Sequence, residues 1–315
     1  MARRHGYNRS STCFRPSIYD DYALSDYACL VVFLAVYLGT LITLCIVRRG
    51  TGAGKHLIGL PYMLALSFKF IQQAINFVSS TLQACEVTYG STDVYSWIIA
   101  INVFYGLETI MLLFVVLWTL NTMLRKQLGH NPSALRMGLI AVLTILGILN
   151  AVSVILYSYT SWLSRDYRNL VDFNYTAVYY VDLAFWSVYL ASILASATLS
   201  LLAVRSPKTK RVAGGLLVLW ASILYLSLFV YSLIPVIRSS VLFIPQGQIS
   251  RAGYLAMYWI SSLFHALVFI SIIGIAKDGT WRPNTFAATG APVEREHDAY
   301  DHQQDPVYDG AGQRA

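Results

Sequence analysis

Four ionisable residues stand within long apolar stretches of this chain: Lys69, Glu108, Asp182 and His265. Insertion scales put the cost of a charged residue at the centre of a bilayer at about 2.5 to 3.5 kcal/mol. A buried carboxylic acid can donate a proton to a substrate, and a buried lysine or histidine can bind a ligand or relay a proton. These four residues are therefore the first candidates for a functional site.

Spacing along the chain places three of these residues at a similar depth. Lys69 and Glu108 each lie about 18 to 20 Å from the same side of the bilayer, at a rise of about 1.5 Å per residue. His265 and Asn150 fall within about 5 Å of that level. The simplest pair is Lys69 with Glu108, because a short loop joins their stretches. Such a pair either fixes the register of two helices or belongs to a ligand or proton site, and both hypotheses are kept.

Polar residues recur at helical spacing beside these positions, as a single face of a helix requires. On the second stretch the polar face continues beyond Lys69, and on the third a tyrosine precedes Glu108 by one turn. We predict that these faces turn inward and form one site that binds a ligand or relays protons. The predicted set is Lys69, Gln72, Gln73, Asn76, Tyr105, Glu108, Asn150, Tyr258 and His265.

Glu108 and Asp182 are the candidate catalytic acids if the protein is an enzyme. Asp182 lies about 9 Å into the fifth stretch, on a face shared with Tyr179, Trp186 and Tyr189. In a membrane-embedded cyclase or isomerase, a buried carboxylic acid protonates the substrate and aromatic faces stabilise the developing cation. The alternative for Asp182 is an interfacial acid beneath a belt of aromatic residues.

The elements that must position these side chains are seven apolar stretches. Apolar residues make up 56% of the chain and charged residues only 12%, against roughly 25% charged in a soluble domain. A helix needs about 20 apolar residues to span a bilayer, and each stretch meets that length. We therefore predict an all-α membrane protein, a bundle of seven transmembrane helices. The stretches run over 27–47, 57–81, 95–123, 137–160, 177–204, 212–237 and 252–276.

The distribution of Lys and Arg predicts the orientation of the bundle. Fourteen of these cations fall in the first, third and fifth loops and the C-terminal tail, and eight fall on the other side. Because cations are retained on the cytoplasmic side, we predict that the N-terminus is outside and the C-terminus is inside. The net charge of +7 follows this pattern instead of forming one patch, so no nucleic-acid partner is expected.

Three regions follow from this topology: a polar extracytoplasmic arm at 1–21, the transmembrane domain at 22–276, and a disordered acidic cytoplasmic tail at 277–315. No cleavable signal peptide is visible in the first 20 residues. The predicted outer side carries two glycosylation sequons and two cysteines able to form a disulfide, which predicts a glycoprotein of the plasma membrane or an endomembrane. These residues are Asn8, Asn174, Cys13 and Cys85.

The seven-helix plan with an outer N-terminus resembles G-protein-coupled receptors in topology. Residues 120–126 read LNTMLRK, however, without the Asp/Glu-Arg-Tyr motif, and the last stretch has no Asn-Pro-x-x-Tyr. The topology is also similar to that of microbial rhodopsins, but the last stretch has no lysine to hold retinal. A catalytic zinc site takes three protein ligands, and His265 is the single histidine within the stretches. We predict neither a metal nor a cofactor.

Three functions fit these observations. The leading hypothesis is a receptor-like or sensor-like protein that binds a small lipophilic or lipid-like molecule in a polar midplane pocket. It would contact a cytoplasmic protein partner through its basic loops and acidic tail. The first alternative is a membrane-embedded cyclase or isomerase of a terpenoid-like substrate that uses Glu108 or Asp182. The second is a proton-coupled or facilitative transporter with Lys69, Glu108 and His265 as its relay.

Overall fold

The described residues of the computed structural model form seven long helices. All described residues lie within the first of two units, Met1–Arg282 and Pro283–Ala315. The described residues are 21–50, 53–85, 93–127, 133–163, 175–205, 215–242 and 249–278. The helices are α1 (Asp21–Gly50), α2 (Leu60–Ala84), α3 (93–127), α4 (Ser133–Leu163), α5 (Tyr175–Arg205), α6 (Gly215–Leu242) and α7 (Arg251–Lys277).

Local sequence explains two of the helix starts. Pro61 lies in the first turn of α2, where its missing N–H costs nothing and its fixed φ suits a helix. Ser250 caps α7, since its hydroxyl accepts a hydrogen bond from the backbone N–H of Gly253 at 3.1 Å. A short 3-10 turn, Ala53–His56, precedes α2. Because of this turn and Pro61, α2 begins three residues later than the apolar stretch predicts.

Helix α3 changes its winding in the middle. It is α-helical over Asp93–Leu113, forms a π-helical segment over Phe114–Leu120, and is α-helical again over Asn121–Gln127. A π segment adds residues to a turn, so side chains on either side of it are rotated relative to a regular helix. The sequence analysis treats this stretch as one regular helix and does not predict the segment.

Six of the seven long helices are long and apolar enough to span a membrane by length and composition. The exception within the described residues is α2, whose polar face around Lys69 lowers its mean hydropathy. The prediction of a multi-pass α-helical membrane protein is confirmed. The seventh crossing and the orientation stay predictions.

The helices pack in chain order into a ring, because each contacts its neighbours in sequence and α7 also packs against α1. Large aliphatic side chains such as Ile46, Met137 and Ile155 face outward and are exposed, as expected of a surface in contact with lipid. Polar and aromatic side chains such as Tyr62 and Tyr189 are buried inside the ring. The interior of the bundle is therefore where polar chemistry is concentrated.

Glycine allows a close approach of α3 to α4. A Cβ placed on Gly106 would overlap Cγ2 of Val154. The amide of Asn150 also donates a hydrogen bond to the carbonyl of Gly106 at 3.1 Å. This contact fixes α4 against α3 beside the residues that form the site.

Candidate functional site

A cavity of about 360 Å³ lies inside the ring, and every helix from α2 to α7 contributes to its wall. It extends from the middle of the bundle toward one end, the end where α5 and α7 begin and α4 and α6 finish. Its polar lining comprises Lys69, Gln72, Asn102, Asn150, Ser153, Asp182, Arg238, Ser261, Ser262 and His265. Its aromatic and apolar lining comprises Tyr105, Val154, Tyr157, Phe185, Trp186, Tyr231, Ile234, Pro235, Tyr254, Met257 and Tyr258.

Lys69 forms one end of this cavity and is almost fully buried, with 8% of its surface exposed. Its ammonium group donates one hydrogen bond, to Oε1 of Gln72 at 2.9 Å. The same group lies 5.6 Å from the centre of the Tyr37 ring and 5.9 Å from that of Tyr105, within the range of a cation–π contact. Two aromatic rings and one amide thus stabilise a buried cation that lines open space.

Glu108 is completely buried and does not line the cavity. Its Oε1 lies 3.0 Å from Nε2 of His265, so α3 and α7 meet through this pair. The structure therefore differs from the predicted Lys69–Glu108 pair. The lysine side chain reaches Gln72 on its own helix, while His265 extends from α7 across the interior of the ring to the acid. Glu108 still lies close enough to Lys69 for their charges to interact.

His265 is held by aromatic rings as well as by Glu108. The Tyr231 ring stacks on the imidazole at a centroid distance of 4.3 Å and an angle of 13°. The Tyr231 hydroxyl lies 3.0 Å from that of Tyr105, so α6 also contacts α3 here. The Phe269 ring, one turn along α7, packs 5.4 Å from the imidazole. His265 is thus the junction of α3, α6 and α7 at the end of the cavity near Lys69.

Three buried oxygens around this junction have no hydrogen-bond partner among the described residues: Oε2 of Glu108 and the hydroxyls of Tyr37 and Tyr189. Both tyrosines lie within electrostatic range of the Glu108 carboxyl group. Unpartnered buried polar atoms are uncommon, since each costs about 1 to 3 kcal/mol. Their concentration here separates this junction from an ordinary packed core.

Asp182 lies toward the other end of the cavity. Its Oδ2 accepts a hydrogen bond from the Ser239 hydroxyl at 2.8 Å. The phenol of Tyr157, the indole of Trp186 and the Arg238 guanidinium lie near this carboxyl group and favour its charged form. The Asp182 carboxyl group therefore has a hydrogen-bond donor and a cation in its surroundings.

A second buried polar network lies in the opposite half of the bundle, where the π segment of α3 ends. The Asn121 amide donates to the Ser196 hydroxyl at 2.8 Å and to the carbonyls of Val116 and Leu117 at 3.2 and 3.1 Å. Its carbonyl oxygen accepts from the Ser200 hydroxyl at 3.3 Å. The Tyr225 hydroxyl lies 3.1 Å from Ser196 Oγ and 2.6 Å from Ser200 Oγ. We call Asn121, Ser196, Ser200 and Tyr225 the Asn121 network.

Most of the predicted ligand or relay residues meet at the cavity: Lys69, Gln72, Tyr105, Asn150, Tyr258 and His265. Gln73 turns toward α1 and donates to the carbonyl of Leu30 at 3.3 Å, and Asn76 is half-buried away from the cavity wall. Of the two candidate catalytic acids, Asp182 lines the cavity and Glu108 lies behind it.

The predictions on the outer side fall partly beyond the described residues. Asn8, Asn174 and Cys13 lie outside them. Cys85 is disulfide-bonded, while Cys29 and Cys45 are free. Within the described part of the chain, no group of three His, Cys, Asp or Glu side chains is placed to hold a metal ion.

Sequence reasoning missed several cavity residues. Asn102 precedes Tyr105 by three residues and lies on the same face, so helical spacing was a usable signal. Arg238 lies just beyond the predicted apolar stretch, which ends at 237, yet α6 continues to Leu242. Tyr231 could not be separated from other tyrosines of the helices without knowing which way α6 faces.

Comparison of the chain with protein-family models, curated proteins and solved structures finds no match.

Proposed function

We propose that this multi-pass membrane protein binds a small lipophilic molecule in the cavity between α2 and α7 and acts as a receptor or sensor. The observation that carries the proposal is the cavity itself. Its volume of about 360 Å³ falls within the range of about 300 to 1,000 Å³ for small-molecule sites. Its walls combine aromatic and aliphatic side chains with polar ones, and small-molecule sites likewise join apolar surface to polar groups that fix the orientation of the ligand.

The position of the cavity supports a sensor. With the N-terminus outside, as the charge pattern predicts, the cavity lies in the extracytoplasmic half of the bundle. The basic loops then lie on the far side, where a cytoplasmic partner would bind. A ligand beside His265 would contact the junction of α3, α6 and α7. If these helices can adopt two arrangements, a ligand that binds one arrangement more tightly shifts the protein toward it, and this shift is the signal.

Filling the cavity tests the proposal. Ile234 lines the cavity, whereas Ile237 on the same helix faces outward with 41% of its surface exposed. Ile234→Trp should occupy the space a ligand needs, and Ile237→Trp is the matched control. Wild type and both variants would be placed in lipid nanodiscs and screened against a library of lipophilic compounds by thermal shift.

We expect compounds that stabilise the wild type to stabilise Ile237→Trp equally and to lose their effect on Ile234→Trp. Stabilisation of Ile234→Trp by the same compounds, to the same extent, would place binding elsewhere and reject the cavity as the site. A library without any stabilising compound would also count against the proposal.

The enzyme alternative is favoured by one observation, the placement of Asp182 in the cavity wall beside Phe185 and Trp186. The Trp186 ring also contacts Tyr231, with centroids 5.7 Å apart. A carboxylic acid among aromatic faces has the parts needed to protonate an alkene and stabilise the resulting cation. In this reading Asp182 touches the substrate, and Glu108 acts only through His265.

Microsomes containing the protein would be incubated with prenyl substrates to test this alternative. Asp182→Asn should abolish any cyclised or isomerised product at an unchanged protein level. Asp26→Asn is the matched control, because Asp26 lies on α1 and does not line the cavity. Unchanged product from Asp182→Asn would remove Asp182 as the acid.

A further inference from the structure

We propose that the ligand of the cavity is an uncharged molecule with an apolar body and a single oxygen acceptor, a carbonyl or hydroxyl, that lies against the ammonium group of Lys69. The inference rests on the proposed function, since it specifies what the cavity binds. Three observations carry it: the balance of charge around the cavity, the partners of each charged group, and the distribution of polar side chains along the wall.

The formal charges at the cavity already sum to zero. Lys69 and Arg238 line the wall as cations, Asp182 lines it as an anion, and Glu108 lies behind it. Each charge has an opposite charge in electrostatic range, Glu108 for Lys69 and Arg238 for Asp182. A charged ligand would leave a net charge in a low-dielectric interior, where an uncompensated charge is strongly unfavourable. This balance selects an uncharged ligand.

The hydrogen-bond partners show where the ligand's polar atom belongs. The Asp182 carboxyl group accepts from Ser239 and has the donors Tyr157 and Trp186 beside it. Lys69, in contrast, carries three N–H donors and makes one hydrogen bond among the described residues, to Gln72. A ligand acceptor therefore finds a strong and largely unused donor at Lys69. A charge-assisted hydrogen bond of this kind is among the stronger ones.

Near Lys69 the wall offers further polar groups, and the opposite end contains the Asp182 carboxyl group and Arg238. His265 and the Ser261 and Ser262 positions, one turn away on α7, lie at the Lys69 end, where they can surround a polar group. Phe185, Ile234 and Met257 supply apolar surface for the rest of the ligand. The resulting ligand class is an oxygenated lipophile, such as a cyclic or branched ketone or alcohol.

Matched probes on one skeleton test the charge and the acceptor separately. The four probes are adamantyl methyl ketone, adamantane carboxylate, adamantyl methylamine and ethyladamantane. Their affinities for the wild type in nanodiscs would be measured by calorimetry, with empty nanodiscs to subtract partitioning into lipid. We expect the ketone to bind about tenfold more tightly than ethyladamantane, and both charged probes to bind more weakly than the ketone.

Two variants keep the inference falsifiable even if removal of Lys69 alone prevents folding. Lys69→Met combined with Glu108→Gln keeps the buried charge at zero and removes the donor, so the ketone should lose its advantage over ethyladamantane. Glu108→Gln alone leaves one excess positive charge, so adamantane carboxylate should gain affinity relative to the wild type. Because Gln can still accept from His265, the contact between α3 and α7 is retained in both variants.

The outcomes separate this inference from the function on which it rests. If ethyladamantane binds as tightly as the ketone and Ile234→Trp abolishes the binding of both, the cavity binds ligands, but an oxygen acceptor is not what it recognises. Tightest binding of the carboxylate or the amine to the wild type would overturn the uncharged ligand. If none of the four probes binds, or Ile234→Trp changes nothing, the inference and the proposed function both fail.

Discussion

The two polar regions inside this bundle use similar side chains and differ in how completely those side chains are satisfied. In the Asn121 network, amide and hydroxyl groups from α3, α5 and α6 bond to one another and to two backbone carbonyls. Around Glu108, in what we call the Glu108 region, one carboxyl oxygen and two tyrosine hydroxyls find no partner in the part of the chain that the structure describes, and Lys69 faces a cavity. The first region fills its interior, whereas the second encloses space.

This difference separates structural polarity from functional polarity. A satisfied network in a membrane protein fixes helix positions, because its groups have no better partner in lipid. Unpartnered groups around a cavity lower stability, and proteins retain such groups mainly at functional sites. The Asn121 network should therefore respond to mutation by losing stability alone. The Glu108 region should respond in stability and in ligand binding together.

The largest effect on stability is expected from His265→Leu. Removal of the imidazole leaves both oxygens of Glu108 buried without a partner, and breaking a buried pair in this way costs about 3 to 5 kcal/mol. The free energy of unfolding in bicelles measures the loss. The control is His56→Leu, since His56 is exposed in the turn before α2.

The double variant His265→Leu/Glu108→Gln should be more stable than His265→Leu alone, because an uncharged amide costs less to bury than a carboxylate. If His265→Leu loses no more stability than His56→Leu, the pair is not part of the fold. The two polar regions would then not differ in the way proposed.

Much of this arrangement follows from the sequence. Apolar stretches of sufficient length predict the helices, and the rise per residue places Lys69, Glu108, Asn150 and His265 near one level. Depth along a helix is a local property, so one sequence is enough to estimate it. The mostly polar lining at the Lys69 end of the cavity was predicted in this way.

Rotation and lateral order are not local properties, and they decide which side chains meet. Lys69 and Glu108 share a depth on consecutive helices, yet the carboxyl group bonds to His265, which reaches it from α7 across the interior of the ring. The π segment in α3 rotates Asn121 toward α5 in a way that regular helical spacing does not predict. Both differences arise from packing among helices distant in sequence.

The next largest effect is expected from Asn121→Leu, at about 3 kcal/mol, near the upper end for a buried group left unpaired. The variant removes the donor to Ser196 and to the carbonyls of Val116 and Leu117. Unfolding measured with and without adamantyl methyl ketone should show the same loss. Asn102→Leu, in the cavity wall, should instead cost less and alter ketone affinity. If both variants changed ketone affinity to the same extent, the two polar regions would not differ in function.

A smaller loss, about 1 to 2 kcal/mol, is expected from Gly106→Ala, because the added methyl group overlaps Val154 beside the cavity. Gly138→Ala on α4 is the control, since nothing lies within 4 Å of the added Cβ. It should raise stability by up to about 1 kcal/mol through helix propensity. Val154→Ala should restore part of the loss in Gly106→Ala. Thermal midpoints of the wild type and these variants decide this, and a rise in the midpoint for both glycine variants would show that α3 and α4 are not in close contact.

The smallest effect, and the sharpest test of the comparison, comes from removing one hydroxyl from each region. Tyr225→Phe loses the contacts with Ser196 and Ser200, and Tyr231→Phe loses the contact with Tyr105 while its ring keeps the stack on His265. Interhelical hydrogen bonds in membranes average about 0.6 kcal/mol, so both variants should lose a similar small amount of stability. Only Tyr231→Phe should change ketone affinity, because Tyr231 lines the cavity and Tyr225 does not. If Tyr225→Phe changed ketone affinity as much, the Asn121 network would be coupled to the ligand site and would not be purely structural.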